Sequence, residues 1–325
     1  MNILITGGAG YIGSHVVKHF GEKTPHNITV IDNLSSGFKE AVLYGEFIEA
    51  DLADTGKLEN IFAVKNFDAV VHFAANIEVE ESVKKPLKYY KNNTVNSANL
   101  IDIAIRHQTR CFIFSSTAAV YGSPKSTPVK EDNAKEPLNP YGKSKLMTEH
   151  ILMDAASASG LKYCILRYFN VAGADASLRI GQRTPNATHL IKAASQAALG
   201  IREQLYIYGT DYDTADGTGV RDYIHVDDLA DAHLKGLEHL ENHGSCVFNC
   251  GYGTGYSVKE VITEIKKVSG VDFKVIETDR RTGDAALLIA DNSRILQETS
   301  WRPLHNNLEY ICKTAFEWEK KLTTL

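Results

Sequence analysis

A tyrosine and a lysine four residues apart, Tyr141 and Lys145 in Tyr141-Gly142-Lys143-Ser144-Lys145, carry the chemistry most readily drawn from this chain. Side chains at that spacing share one face of a helix, so phenol and ammonium point into the same space. A free phenol, with a pKa of about 10, is a poor base at neutral pH. A neighbouring ammonium would favour the phenolate and draw that value towards working pH. Thr117, closing Ser115-Ser116-Thr117, offers a hydroxyl that can bridge a substrate oxygen and the phenol. Taken alone, Tyr-x-x-x-Lys also fits a solvated helix face.

The first residues change that balance. Thr6-Gly7-Gly8-Ala9-Gly10-Tyr11-Ile12-Gly13 lies between a short apolar run (3–6) and a helical pattern (12–20). Gly7 and Gly8 suit a tight strand-to-helix turn, Gly10 lets the backbone approach a pyrophosphate, and Gly13 lets helix and strand pack closely. The phosphates would meet unpaired N–H groups at a helix N-terminus. A second strand (28–31) ends at Asp32, about 20 residues past the glycines. A carboxylate there accepts from the adenosine ribose hydroxyls and repels a 2′-phosphate, which selects NAD over NADP. Asp32 could equally cap the loop 33–37, and the two roles are compatible.

Composition narrows the class. The 325 residues are 43% hydrophobic and 23% charged with a net charge of −5, an ordinary globular balance. That charge gives no reason to expect nucleic acid or an anionic membrane as partner. A strand starting at residue 3 leaves no room for a signal peptide and no apolar run is long enough to span a bilayer, so a cytoplasmic protein is expected. Cys111, Cys164, Cys246, Cys250 and Cys312 read as reduced structural thiols. Cys246-x-x-x-Cys250 could suggest a metal, but its spacers look like buried strand, and no metal is expected.

Strand and helix signals alternate through the first half, the pattern of a doubly wound parallel sheet. Strands are expected over 46–50, 69–75 (a continuous apolar run, typical of a central strand covered on both faces), 111–116 and 163–166, with helices over 55–64, 86–107 and 141–158. Ligands gather at the carboxyl ends of such strands, so Gly10, Asp32, Asp51, Ala74, Ser116 and Phe169 should line one crevice. Beyond 170 the regularity fails. Helical pattern appears over 187–199, 227–240, 258–269 and 308–320, and 246–249 could return to the sheet. The expected architecture is an α/β chain: a nucleotide-binding domain (1–170, rejoined around 221–252) and a smaller α/β substrate domain (mainly 171–325).

The glycine run, Tyr141-x-x-x-Lys145 and the hydroxyl-bearing strand end resemble the extended short-chain dehydrogenase/reductase superfamily. Four further stretches resemble its UDP-glucose 4-epimerase family: His72-Phe73-Ala74-Ala75 with Glu81-Ser82-Val83, Tyr141 to Glu149, Arg167-Tyr168-Phe169-Asn170-Val171-Ala172-Gly173-Ala174, and Asp216 to Ala230. The resemblance runs to about Trp318. It implies a Rossmann-type fold, a homodimer, NAD as cofactor and a UDP-sugar as substrate. Tyr141 would be the base, Lys145 its electrostatic partner and Thr117 the accompanying hydroxyl. NAD contacts would include Gly7, Gly10, Tyr11, Ile12, Asp32, Asn33, Asp51, Leu52, Phe73, Ala74, Ala75, Asn92, Lys145 and Phe169. UDP-sugar contacts would include Thr117, Tyr141, Asn170, His189, Leu190, Arg221, Arg281 and Asp284. Leu288 would stand at the pocket wall, where the family's side chain gates sugar size. The segment 180–189 departs from the usual acidic loop, and Ile77 stands where some relatives carry a lysine.

Alternatives stay open at this stage. Arg221 could pair with its neighbour Asp222 on the surface, and Leu288 could be plain core. A sugar-nucleotide dehydratase commonly carries an acid/base pair after the strand-end hydroxyl, whereas Thr117 is followed by Ala118-Ala119. A dehydrogenase would release NADH, and a scaffold would bind NAD without turnover. A 4-epimerase acting on UDP-glucuronate or a UDP-pentose shares every motif named.

Overall fold

The apolar runs of the first half become parallel strands in the computed structural model, which describes residues 1–184, 188–281 and 285–324. In chain order these are β1 (Asn2–Thr6), α1 (Tyr11–Lys23), β2 (Asn27–Asp32), β3 (Glu46–Glu49), α2 (Thr55–Lys65), β4 (Ala69–His72), α3 (Val79–Lys84), α4 (Pro86–Tyr89), α5 (Asn96–Arg106), β5 (Cys111–Thr117), α6 (Pro140–Ser159) and β6 (Lys162–Tyr168). The second half contributes β7 (Asn170–Ala172), α7 (Leu190–Ala198), β8 (Leu205–Tyr208), β9 (Val220–His225), α8 (Val226–Asn242), β10 (Cys246–Cys250), β11 (Gly255–Ser257), α9 (Val258–Ser269), β12 (Val275–Thr278), β13 (Leu287–Leu288), α10 (Ser293–Glu298) and α11 (Leu308–Leu322).

The main sheet is parallel throughout, in the order β10-β6-β5-β4-β1-β2-β3. Strand order reverses between β1 and β4, which opens a crevice at their carboxyl ends. Alternation along each strand divides its side chains between two cores. Ile3, Ile5, Val71 and Ile113 pack on one face with Val16 of α1 and Leu229 of α8. Leu4, Val70, Phe112 and Phe114 pack on the other with Phe62, Leu100 and Leu152.

The helix expected over 86–107 is divided. Between α4 and α5, residues Tyr90–Val95 form a π-helical segment. Its extra residue per turn lets Asn93 reach sideways: Nδ2 donates to the Asn76 carbonyl at 2.9 Å, and Oδ1 accepts from the Asn76 N–H at 2.8 Å. α6 follows its local signals. Asn139 caps it by accepting from the Gly142 N–H, Pro140 opens it, and Gly160 ends it at φ 79°.

Beyond β7 a small sheet forms around β9, which pairs with β7 and β13 in parallel and with β11 in antiparallel fashion. β8 and β12 make a separate parallel pair. α7 starts at Leu190, later than the pattern suggested; residues 185–187 lie outside the described set. The five cysteines are buried free thiols. Lys18 of α1 clamps the second half to the first, donating to Asp175 at 2.9 Å and Asp227 at 2.8 Å.

Candidate active site

The glycine turn is built for a close approach. Gly7 has φ 72°, and a Cβ there would lie 2.5 Å from the Ala74 nitrogen; one on Gly13 would lie 2.2 Å from the Gly7 carbonyl oxygen. Gly10 precedes α1 without a capping side chain, so the N–H groups of the first turn face the crevice. Ile12 packs into the core, and the Tyr11 hydroxyl donates to the Gly173 carbonyl at 2.6 Å, which leaves their backbone as what they can present. Asp32 ends β2. Its Oδ2 accepts from the Ala9 N–H at 3.0 Å and its Oδ1 from the Leu34 N–H at 2.8 Å. The carboxylate therefore shapes the glycine turn and the following loop, and each oxygen keeps a lone pair for a ribose hydroxyl. Burial pushes its pKa up, against these two N–H bonds.

Asn33 donates to Asp51 at 2.7 Å beside the buried Leu52. Phe73 packs on His233 with centroids 4.8 Å apart, and Ala74 and Ala75 continue the same segment. Asn92, in the π-helical segment, donates to Asn93 at 3.0 Å. Phe169 follows β6 directly, its N–H donating to the Cys250 carbonyl at 3.2 Å. A dinucleotide fits this set: a turn closed to any Cβ, a helix N-terminus and a carboxylate at the second strand end.

Tyr141, Lys145 and Thr117 are brought together by α6 lying along β5. The Tyr141 phenol lies beside the Thr117 hydroxyl, which favours the phenolate, and the Thr117 Oγ1 accepts from the Ala119 N–H at 3.1 Å. Lys145 Nζ donates to the Ser115 carbonyl at 2.9 Å and lies 4.8 Å from the Phe114 ring centroid. All three side chains are buried. Burial raises the Tyr141 phenol above its usual value while the Thr117 hydroxyl works the other way; burial lowers Lys145 to about 7. Any cation brought over this site would favour the phenolate.

On the substrate side the positions diverge. Asn170 opens β7 in register with Tyr223. Arg221 stands on β9, with Nη1 donating to the Val220 carbonyl at 2.9 Å. Asp222, expected as its possible surface partner, turns inward and accepts from the N–H groups of Tyr252, Gly253 and Ala290. Leu288 is in register with Arg221 and packs, half-buried, against the cluster of Phe169, Tyr121 and Val129. His189 precedes α7, where its Nδ1 lies 2.9 Å from Gln182 Nε2, and Leu190 packs into the core. Arg281 stacks on the Tyr208 ring at 3.6 Å. Asp284 lies outside the described residues.

Sequence reasoning missed several groups. Tyr208 gains its place only through the pairing of β8 with β12. His233 Nδ1 faces the Leu229 carbonyl at 2.8 Å, so it carries the proton and leaves Nε2 to accept from the Ser115 hydroxyl at 2.8 Å. Glu149, one turn beyond Lys145, pairs with Arg167; its spacing of eight from Tyr141 was the available signal.

Residues 3–251 match the NAD dependent epimerase/dehydratase family. The chain belongs to that family. Members similar to it include a UDP-glucose 4-epimerase of Azospirillum brasilense, 51% identical over 98% of this chain and 92% of that protein. A solved UDP-Glc/GlcNAc 4-epimerase from Campylobacter jejuni is 54% identical with a TM-score of 0.88, covering 98% of this chain and 99% of that one. A Stenotrophomonas maltophila UDP-glucose-4-epimerase, solved with NAD and formylated UDP-arabinopyranose, is 36% identical with a TM-score of 0.96, covering 100% and 99%.

Proposed function

We propose that the protein interconverts UDP-sugars epimeric at carbon 4 through a transient 4-keto sugar, with no net redox change. The carrying observation is that Tyr141 and Lys145, one turn apart on α6, are both buried against β5, Tyr141 beside Thr117 at its carboxyl end and Lys145 on the Ser115 carbonyl. Tyr141 takes the proton of the 4-hydroxyl as phenolate, Thr117 orients that hydroxyl, and Lys145 stabilises the phenolate charge. Bound NAD supplies the acceptor for the hydride from carbon 4 and its return to the opposite face. Gly7, Gly10, Asp32, Asn33 and Phe169 would hold it. Arg221 and Arg281 suit the diphosphate, which lets the sugar turn while its anchor stays fixed. The turn Ala118-Ala119 lacks the acid pair of a dehydratase.

The functional division runs between a cofactor half (1–170, rejoined by 221–252) and a mainly substrate-binding half (171–325). Two exposed apolar side chains, Leu87 (69%) and Val95 (52%), flank the helical run beside α6, where Met147 (46%) is also exposed. This face suits a second copy of the chain. Sedimentation velocity should show a dimer that Val95→Glu dissociates; a monomeric wild type removes the assignment. A cytoplasmic location fits the absence, among the described residues, of a helix long and apolar enough to cross a membrane.

Leu288 sets the sugar range. Half-buried beside Arg221, it is smaller than a tyrosine and leaves room for a 2-acetamido group as the sugar turns. UDP-glucose/UDP-galactose and UDP-GlcNAc/UDP-GalNAc should both be interconverted by purified protein without added NAD. Leu288→Tyr should exclude the acetamido pair and spare the simple hexoses, because added volume has nowhere to go in a packed wall. Chromatography of the four sugars reads this out, and equal slowing of both pairs contradicts it.

A further inference from the structure

Tyr141, Lys145 and Glu149 recur every four residues along α6 and share its inward face. Each makes one rung to β5. Tyr141 lies beside Thr117, Lys145 donates to the Ser115 carbonyl, and Glu149 accepts from the Ser116 hydroxyl. The deepest rung is the strongest. The buried Glu149 carboxylate accepts from Arg167 Nη2 at 2.6 Å and from Nε at 3.0 and 3.2 Å. Arg167 Nη1 continues to the Tyr121 hydroxyl at 3.0 Å, in the turn directly after Thr117.

A buried pair of this kind adds little stability beyond an apolar pair of similar volume. Its place does more. Lys145 is enclosed, burial works against its charge, and the Glu149 carboxylate one turn away works for it. The other titratable groups facing this region include Tyr141 on the same helix, His72 from β4 and His233 from α8, kept neutral by burial, Tyr168 and Arg167 from β6, the last matched by Glu149, and Tyr121 and Lys135 from the segment after β5.

We propose that Glu149, seated by Arg167, is a positioning residue for the reaction: it holds α6 in register on β5 and keeps Lys145 an ammonium beside Tyr141. This rests on the reading of Tyr141 and Lys145 given above. Glu149→Gln keeps the shape and removes the charge. Turnover at pH 7 should fall about tenfold or more, KM for the UDP-sugar should stay within about twofold, and the alkaline limb of the kcat profile should move down by about one pH unit. Unpairing Arg167 also threatens folding, so the double variant Glu149→Met/Arg167→Met is measured beside it. Its melting temperature should return towards wild type while the alkaline limb stays displaced. Wild-type turnover and profile in Glu149→Gln, or a profile that recovers with the melting temperature in the double variant, overturns the assignment. Tyr141→Phe is the control. Full activity there sinks the underlying reading, whereas an inactive Tyr141→Phe with an unaffected Glu149→Gln sinks only the role of Glu149.

Discussion

Tyr141→Phe should lower kcat by about 10²–10⁴-fold, the range of a lost general base, while leaving bound NAD and the KM for UDP-sugar nearly unchanged. The substitution deletes one oxygen from a buried side chain whose ring still packs. It removes the only atom of Tyr141 able to take the 4-hydroxyl proton, the one that lies beside the Thr117 hydroxyl. Nothing in the glycine turn or around Arg221 depends on that oxygen. Steady-state rates with UDP-galactose, paired with NAD content after denaturation, separate the two effects. Near-normal turnover would show that the proton leaves by another route.

Stability should fall steeply between about pH 6.5 and pH 4. His15, His72, His225 and His233 are buried, and burial lowers them to about 4, 3, 3 and 4. Each is neutral in the folded protein and protonates on unfolding once the pH drops below the ordinary histidine value. Folded values lie below unfolded ones, so this stability is whole above about pH 6.5 and is lost as pH falls towards 4. Asp222, raised by burial to about 6, takes up a proton in the folded state over the same window and offsets one histidine. Across these five groups the difference is about three protons, or roughly 4 kcal/mol per pH unit in mid-window, with the lowered His189 and His26 and the raised Asp32 and Glu131 working in opposite directions beside them. Urea midpoints at pH 7, 6 and 5 measure the slope. A midpoint unchanged down to pH 5 would mean that these histidines are charged in the fold or reach solvent.

What could be read beforehand was whatever rests on local pattern. The glycine turn, the strand ends and Tyr141-x-x-x-Lys145 are set by neighbours in sequence, and the continuous apolar run over 69–75 pointed to a central strand covered on both faces, of which 69–72 form β4. The π-helical segment escaped because its cause is a long-range bond from Asn93 to Asn76. Asp32 was read for its ribose and as a cap of the loop 33–37; the structure has it accept from the Leu34 N–H of that loop, and also brace Ala9, a contact made only once the turn has folded. A surface pair with Asp222 was the alternative to Arg221 meeting the UDP-sugar, but successive strand residues face opposite ways and Asp222 went inward to three backbone N–H groups. Glu149 and His233 were passed over because each needs a partner about 20 or more than 100 residues distant.

The central claim is that one hydrogen leaves carbon 4 and returns to it without meeting water. UDP-galactose deuterated at carbon 4, incubated with the purified protein and no added NAD, tests this most directly by mass spectrometry and proton NMR of the product. UDP-glucose should form with the deuterium retained at carbon 4 and none released to solvent. Solvent hydrogen at that carbon, or NADH accumulating in step with product, would contradict the mechanism.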